Sequence, residues 1–263
     1  MTRLDRVEQS TRSRFAEPPL TPRTAVIWSV LAAELRRRAD DTLTVLDVGG
    51  GTGGFAVPLA QAGHLVTVVD ASPDALAALT RRAAEAGVAD RVRAVQGDGD
   101  ALTGLVEPAT ADLVLCHAVL EVVDDPTPVV TALAAALRPG GAASVLVAGR
   151  AAAVLGRAVN GHLDVAAALA AAPDGAAGPR DTLRRRFDAE EAATLLRAAG
   201  LTVEEIHGVR VLADLLPATV ADGQPGALVE LDNDIDSAHL LDLLRRLRDR
   251  GITCILISHK LNE

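Results

Sequence analysis

Apolar residues come along this chain in short unbroken runs, and between the runs they return at every third or fourth place. The runs at 43–48, 65–70, 91–96, 112–117 and 142–148 predict strands, and the spaced stretches at 24–39, 54–62, 73–86 and 127–137 predict helices. Gly87 stops the third helix and Pro139-Gly140-Gly141 the fourth. Alternation of this kind predicts an α/β fold: a doubly wound, mostly parallel sheet with ligands beyond the carboxyl ends of its strands.

The polar punctuation falls at those ends. The run Thr44 to Val48 is broken by Asp47 and followed by Gly49-Gly50-Gly51-Thr52-Gly53-Gly54. Glycines turn the backbone sharply and let a ligand come close, while the next helix offers free N–H groups, so the segment reads as a nucleotide-type cofactor loop. Gly49, Gly51 and Gly54 also satisfy the G-x-G-x-x-G spacing of dinucleotide loops, a weak signal alone. Asp47 separates the two readings. A carboxylate there would oppose a pyrophosphate, whereas S-adenosylmethionine has no phosphate and carries a sulfonium and an ammonium.

Asp70 closes the second run and can accept both ribose hydroxyls, or simply open the helix at Ser72-Pro73-Asp74. Asp98, within Gly97-Asp98-Gly99 after the third run, can accept from an adenine amino group or cap a turn. His117 ends the fourth run, where methyl donor and acceptor should meet. It can hold the cofactor, orient the nucleophile, act as a base near neutral pH, or only anchor the following loop. Glu121 can reach the substrate pocket or sit as a helix-terminus charge.

Composition narrows the class. The 263 residues, 49% of them hydrophobic, suffice for one full α/β core. No stretch stays apolar for about 20 residues, and the first residues are polar and charged, so the expectation is a cytoplasmic protein with no membrane partner. Cys116 and Cys254 provide neither metal spacing nor a disulfide framework, and no metal is expected. A net charge of −9 argues against coating nucleic acid, and 2% aromatic residues leave few stacking surfaces for bases. Two basic clusters remain, Arg36-Arg37-Arg38 and Arg180 with Arg184-Arg185-Arg186. Each reads as a solvated face, or, for the second, as a grip on substrate within an insertion at 151–186.

The string from Asp112 to Pro126, with Val45 to Gly51 before it and Gly208 to Asp214 after it, resembles the bacterial tRNA carboxymethoxyuridine methyltransferases and their actinobacterial relatives over roughly residues 14–232. The resemblance implies a class I, Rossmann-like, S-adenosylmethionine-dependent methyltransferase domain over residues 1–231. Cofactor contacts would fall on Arg23, Asp47, Gly49, Gly50, Gly51, Gly53, Asp70, Ala71, Asp98, Gly99 and His117, with Arg23 pairing with the methionine carboxylate. His117 is the candidate catalytic residue, and Glu121, Arg180, Arg184 and Arg185 are the candidate substrate contacts. The acceptor in that family is a carboxylate on a modified wobble uridine, already ionised, so alignment rather than a base supplies the catalysis. The chain departs from the family at Val122, where the family has Trp, and in its Ala-rich 151–179. A small-molecule acceptor therefore stands beside tRNA.

Residues 232–263 resemble a different family, the sugar-importer ABC ATPases, from the D-loop to the switch histidine. Lys260, the only lysine, lies here, so no G-x-x-x-x-G-K-[ST] loop exists and no ATP binding is expected. Ser237 to Arg250 predicts an amphipathic helix and Ile252 to Ile257 a strand. They are expected to serve as the last helix and the one antiparallel strand of the same sheet. Two other classes stay open: an NAD-dependent oxidoreductase, disfavoured by Asp47, and a cofactor-binding module without catalysis.

Overall fold

The computed structural model describes residues 24–38, 42–178, 181–209 and 255–261. Helix α1 (Ala25–Arg37) precedes β1 (Thr44–Val48), α2 (Ala56–Gln61), β2 (Leu65–Asp70), α3 (Pro73–Glu85), β3 (Val92–Gln96), β4 (Ala111–His117), α4 (Pro126–Ala136) and β5 (Leu137–Val147). A helix pair follows, α5 (Arg150–Val159) and α6 (Leu163–Ala171), then α7 (Ala189–Ala198), β6 (Leu201–His207) and β7 (Ile255–Leu261). Among the described residues seven strands form one sheet in the order β3-β2-β1-β4-β5-β7-β6. Strands β1 to β5 pair in parallel, and β7 lies antiparallel between β5 and β6. The sheet is therefore the mostly parallel, doubly wound one expected, with a single reversed strand.

Helices cover both faces, which is why β4 is buried along nearly its whole length. Its side chains alternate between two cores. Leu113 and Leu115 pack with Val45 of β1, Val68 of β2 and helices α1 to α3, while Val114 and Cys116 pack with Leu46, Val145 of β5 and helix α4. Each fully buried leucine contributes roughly 2 kcal/mol by leaving water. At the edge, β3 is half exposed.

The helix starts follow local chemistry. The Ser72 hydroxyl accepts the Ala75 N–H at 3.2 Å ahead of Pro73, and Asp125 accepts the Thr127 N–H at 2.8 Å ahead of Pro126. One expectation needs correcting. Strand β5 begins at Leu137, five places before the expected 142, because buried Leu137 leaves the helix in an extended conformation and pairs with Ala111 before a register shift. The Pro-Gly-Gly segment is thus an irregularity inside the strand rather than a loop ahead of it.

The expected C-terminal strand is present as β7, from Ile255. Residues 252–254 and the expected helix at 237–250 lie outside the described residues. The segment between β5 and α7 is closed like a bracket: Gly149 bridges to Phe187, the Phe187 N–H donates to the Ala148 carbonyl at 2.9 Å, and the Arg150 N–H to the Phe187 carbonyl at 3.0 Å. Among the described residues no helix is long and apolar enough to cross a membrane.

Candidate active site

The strand order reverses between β1 and β4, and the crevice beyond their carboxyl ends is where a doubly wound sheet receives its ligand. Asp47, Asp70, Asp98 and His117 all stand at that edge. The glycine loop is held there from two sides. The Gly49 N–H donates to the Val69 carbonyl at 2.8 Å, and the Gly51 N–H to Asp70 Oδ2 at 2.9 Å. The other carboxylate oxygen of Asp70 accepts the Ser72 N–H at 2.8 Å, so this one side chain ties the loop to the start of α3.

Two glycines are obligatory for different reasons. A Cβ on Gly50 would stand 2.5 Å from Asp47 Oδ2 and 2.9 Å from Val68 Cγ1. Gly53 turns at φ +81°, and a Cβ there would overlap Leu79.

Asp47 is 2% exposed, and its Oδ2 has no hydrogen-bond partner. Burial, with the Asp70 charge second, pushes its carboxyl up to about 7. An orphaned, buried carboxyl under a loop of backbone N–H groups calls for a cation. That fits the ammonium or sulfonium of S-adenosylmethionine and opposes a pyrophosphate, which removes the reason to read the loop as an NAD site.

His117 ends β4 with Nε2 at 2.9 Å from the Ser144 hydroxyl, while Nδ1 is buried without a partner. Burial lowers it to about 4, so at neutral pH the ring is uncharged and a weak base. The geometry favours holding or orienting over proton removal. Phe55, at the end of the glycine loop, meets the His117 ring edge-on at 4.9 Å and Trp28 of α1 at 5.0 Å. Just beyond, Ala118 adopts φ +59°, rare for a non-glycine residue, and its N–H donates to the Leu146 carbonyl at 2.9 Å. This turn sends the chain back across the end of β5.

There a cavity of about 660 Å³ opens, floored by Ala118 and Ala148 and walled by Ala152, Ala153 and Gly156 of α5. Glu121 lines it at 4% exposure, with Oε2 buried and unpartnered. Burial raises its pKa, and the N–H groups of Glu121 and Ala148 and the Arg186 charge act against that. Arg186 also lines the cavity and pairs with Asp181 through two contacts of 2.5 and 3.1 Å, which holds that carboxyl well below its usual range. Arg157, Asn160 and His162 line it as well.

The other arginines of the cluster have different work. Arg185 donates to the carbonyls of Leu120, Val123 and Asp124 at 2.9, 2.5 and 2.6 Å, and Arg184 to the Val122 carbonyl at 3.0 Å and the Asp124 carboxylate at 2.8 Å. Both side chains clamp the loop that carries Glu121, and neither lines the cavity. Arg37 and Arg38 are paired with buried Glu34 at 2.5 and 2.6 Å. Ala71 is exposed beside Asp70; Asp98 is exposed, and Gly99 packs toward Val119 and Val123. Arg23 and Arg180 lie outside the described residues. Among the described residues no group of three metal-ligating side chains gathers.

Sequence reasoning passed over Phe55, Ser144, Arg157 and His162, and named as one of a basic cluster, without singling it out, Arg186. The triplet of arginines was the available signal for the last. Nothing marked Ser144, which is one serine in an apolar strand.

Residues 45–141 match a family described as a methyltransferase domain. A tRNA 5-carboxymethoxyuridine methyltransferase of Escherichia coli K12 is 33% identical over 142 residues, 54% of each chain. A ubiquinone biosynthesis O-methyltransferase of Xylella fastidiosa 9a5c is 35% identical over 166 residues, 63% of each chain. The chain thus spans little more than half the length of the curated relatives it matches. The solved structure of an S-adenosylmethionine-dependent methyltransferase from Mesorhizobium loti superposes with a TM-score of 0.60 at 19% identity, covering 89% of this chain and 96% of that one. The fold is that of the S-adenosylmethionine-dependent methyltransferases, and S-adenosylmethionine is the cofactor that the residues present fit.

Proposed function

We propose that this chain, built around a methyltransferase domain of the S-adenosylmethionine-binding fold, is an O-methyltransferase whose acceptor is a small molecule with an apolar body. The observation that carries the cofactor side is the orphaned Asp47 carboxyl beneath a loop pinned by Asp70. The acceptor side rests on the cavity beside it, of a size suited to a small molecule and walled mainly by alanine, glycine and aliphatic residues.

When bound, the cofactor supplies an electrophilic methyl group. Asp47 would neutralise its amino-acid end, and Asp70 has lone pairs left for the ribose hydroxyls. Uncharged His117 and the Phe55 ring border the place where donor and acceptor meet without adding a competing charge. Helix α5 lines the acceptor cavity, and alignment of the acceptor oxygen with the methyl carbon provides most of the rate.

A carboxylate on a modified tRNA uridine is the second reading. The resemblance and the name of the Escherichia coli relative support it, as do Arg157 and His162, exposed at the cavity rim where a polyanion could be met. In either case we place the enzyme in the cytoplasm. We read 1–231 as the catalytic domain and 232–263 as the ABC-ATPase-like segment that completes its sheet without ATP chemistry.

The test is calorimetric titration with S-adenosylhomocysteine of the wild type, Asp47→Asn and Asp70→Ala. Micromolar binding lost in both variants is the expected result. A folded wild type that binds NAD and not S-adenosylhomocysteine would overturn the reading.

A further inference from the structure

Glu121 is a buried group that the methyl-donor site does not use. It lines the acceptor cavity at 4% exposure, beside the carboxyl ends of β4 and β5, with Oε2 unpartnered. Its position is heavily constrained. The Glu121 carbonyl accepts the Arg184 N–H at 2.9 Å, and Arg185 clamps the carbonyls of Leu120, Val123 and Asp124 on either side of it. A clamp of this kind fixes a carboxyl rather than leaving it to find water.

The charges around the cavity then decide what it can take. Arg186 is already neutralised by the bidentate contact with Asp181, so the buried set holds two carboxyl groups against one guanidinium. Arg157 and His162 stand at the exposed rim, and on β4 the half-buried His117 and the buried Cys116 are uncharged at neutral pH. An ionised acceptor brought next to Glu121 would add a third negative charge in a place of low dielectric. An acceptor that brings a proton to Oε2 satisfies the orphaned atom instead.

Building on the O-methyltransferase reading, we propose that Glu121 is the catalytic proton acceptor of the reaction and that the acceptor is consequently a neutral hydroxyl, a phenol or alcohol, rather than a carboxylate. The acceptor oxygen forms its bond to the methyl carbon as the carbon–sulfur bond breaks. The electron pair of that bond stays on sulfur as a thioether, and the hydroxyl proton passes to the Glu121 carboxylate, from which it leaves to solvent. Burial keeps Glu121 more basic than an ordinary carboxylate, which suits it to this transfer.

The experiment uses two probes of one shape, 2-naphthol and 2-naphthoate, with the full chain and its Glu121→Gln variant. Methyl transfer is followed as S-adenosylhomocysteine release, and S-adenosylhomocysteine binding is measured separately. The wild type should methylate 2-naphthol, with kcat rising with pH to a plateau as Glu121 ionises, and should form no ester from 2-naphthoate. E121Q should bind S-adenosylhomocysteine normally, which shows that it is folded. It should lose about 100-fold in kcat with little change in KM, together with the pH-dependent rise, and should bind 2-naphthoate more tightly than the wild type does. Equal turnover in E121Q, ester formation by the wild type, or no transfer to 2-naphthol from a protein that binds S-adenosylhomocysteine would each overturn the role of Glu121. Failure to bind S-adenosylhomocysteine would instead remove the methyltransferase reading on which it rests.

Discussion

Asp47 Oδ2 occupies the space in which a side chain on Gly50 would begin, 2.5 Å from that position. The acid and the glycine are therefore one device: the loop can pass over the carboxyl only where it carries no Cβ.

Gly50→Ala should accordingly destabilise the protein by about 1–3 kcal/mol, the usual range for forcing a methyl into packed space. It should also weaken S-adenosylhomocysteine binding, since the loop must lift. Urea denaturation and calorimetry would check this, and a G50A variant with wild-type stability and affinity would show that the carboxyl moves aside freely.

Asp47 and His117 make opposite contributions to stability against pH. The Asp47 carboxyl is raised to about 7 in the folded state, so its contribution is complete below its unfolded value of about 4 and is lost as pH rises toward 7. The ring of His117 is lowered to about 4, so its contribution is complete above its unfolded value of about 6.5 and is lost as pH falls toward 4. Over the shared interval the two slopes oppose, and the wild type should change little on their account. Asp47→Asn should expose a stability that climbs with pH from 4 to 6.5, and His117→Gln one that declines from 4 to 7, each by at most about 1.4 kcal/mol per pH unit. Denaturation midpoints at several pH values decide it.

Affinity should carry the same signature. A cationic ligand group requires ionised Asp47, so S-adenosylhomocysteine should bind more tightly as pH rises through about 7. The limit is tenfold per unit on the acid side. Calorimetry in buffers of different ionisation enthalpy should detect proton release below that pH. In the Asp47→Asn variant, whose binding should already be lost at neutral pH, raising the pH should restore none.

The pair Asp181–Arg186, with side chains 7% and 9% exposed, holds the return segment of the insertion. Asp181→Ala leaves a buried guanidinium unpaired and should cost about 3 kcal/mol, whereas Asp181→Leu with Arg186→Met should recover much of that loss. Thermal unfolding of the single and double variants provides the comparison.

The sequence carried the strand-end acids plainly, because an ionisable residue closing an apolar run is conspicuous and the fold places every such end on one rim. Asp47 and Asp70 could be found that way. Glu121 could be named but not given its surroundings, which come from Ala148 and Arg186, far along the chain. The three consecutive arginines looked alike as letters; only the geometry separates Arg185, spent on carbonyls, from Arg186 at the cavity wall. Helix α6, apolar nearly all round, has too little contrast between its faces for periodicity to reveal it, and the early start of β5 depends on a partner, Ala111, that no local pattern discloses.

Strand β7 is the latest of the seven in chain order, yet it lies between two that precede it. As the polypeptide leaves the ribosome, β5 and β6 both emerge before the strand that joins them, and each must wait with an open row of amide and carbonyl groups. The nascent protein therefore carries two open strand edges until Ile255 and its neighbours arrive, the kind of edge by which stalled chains stick to one another.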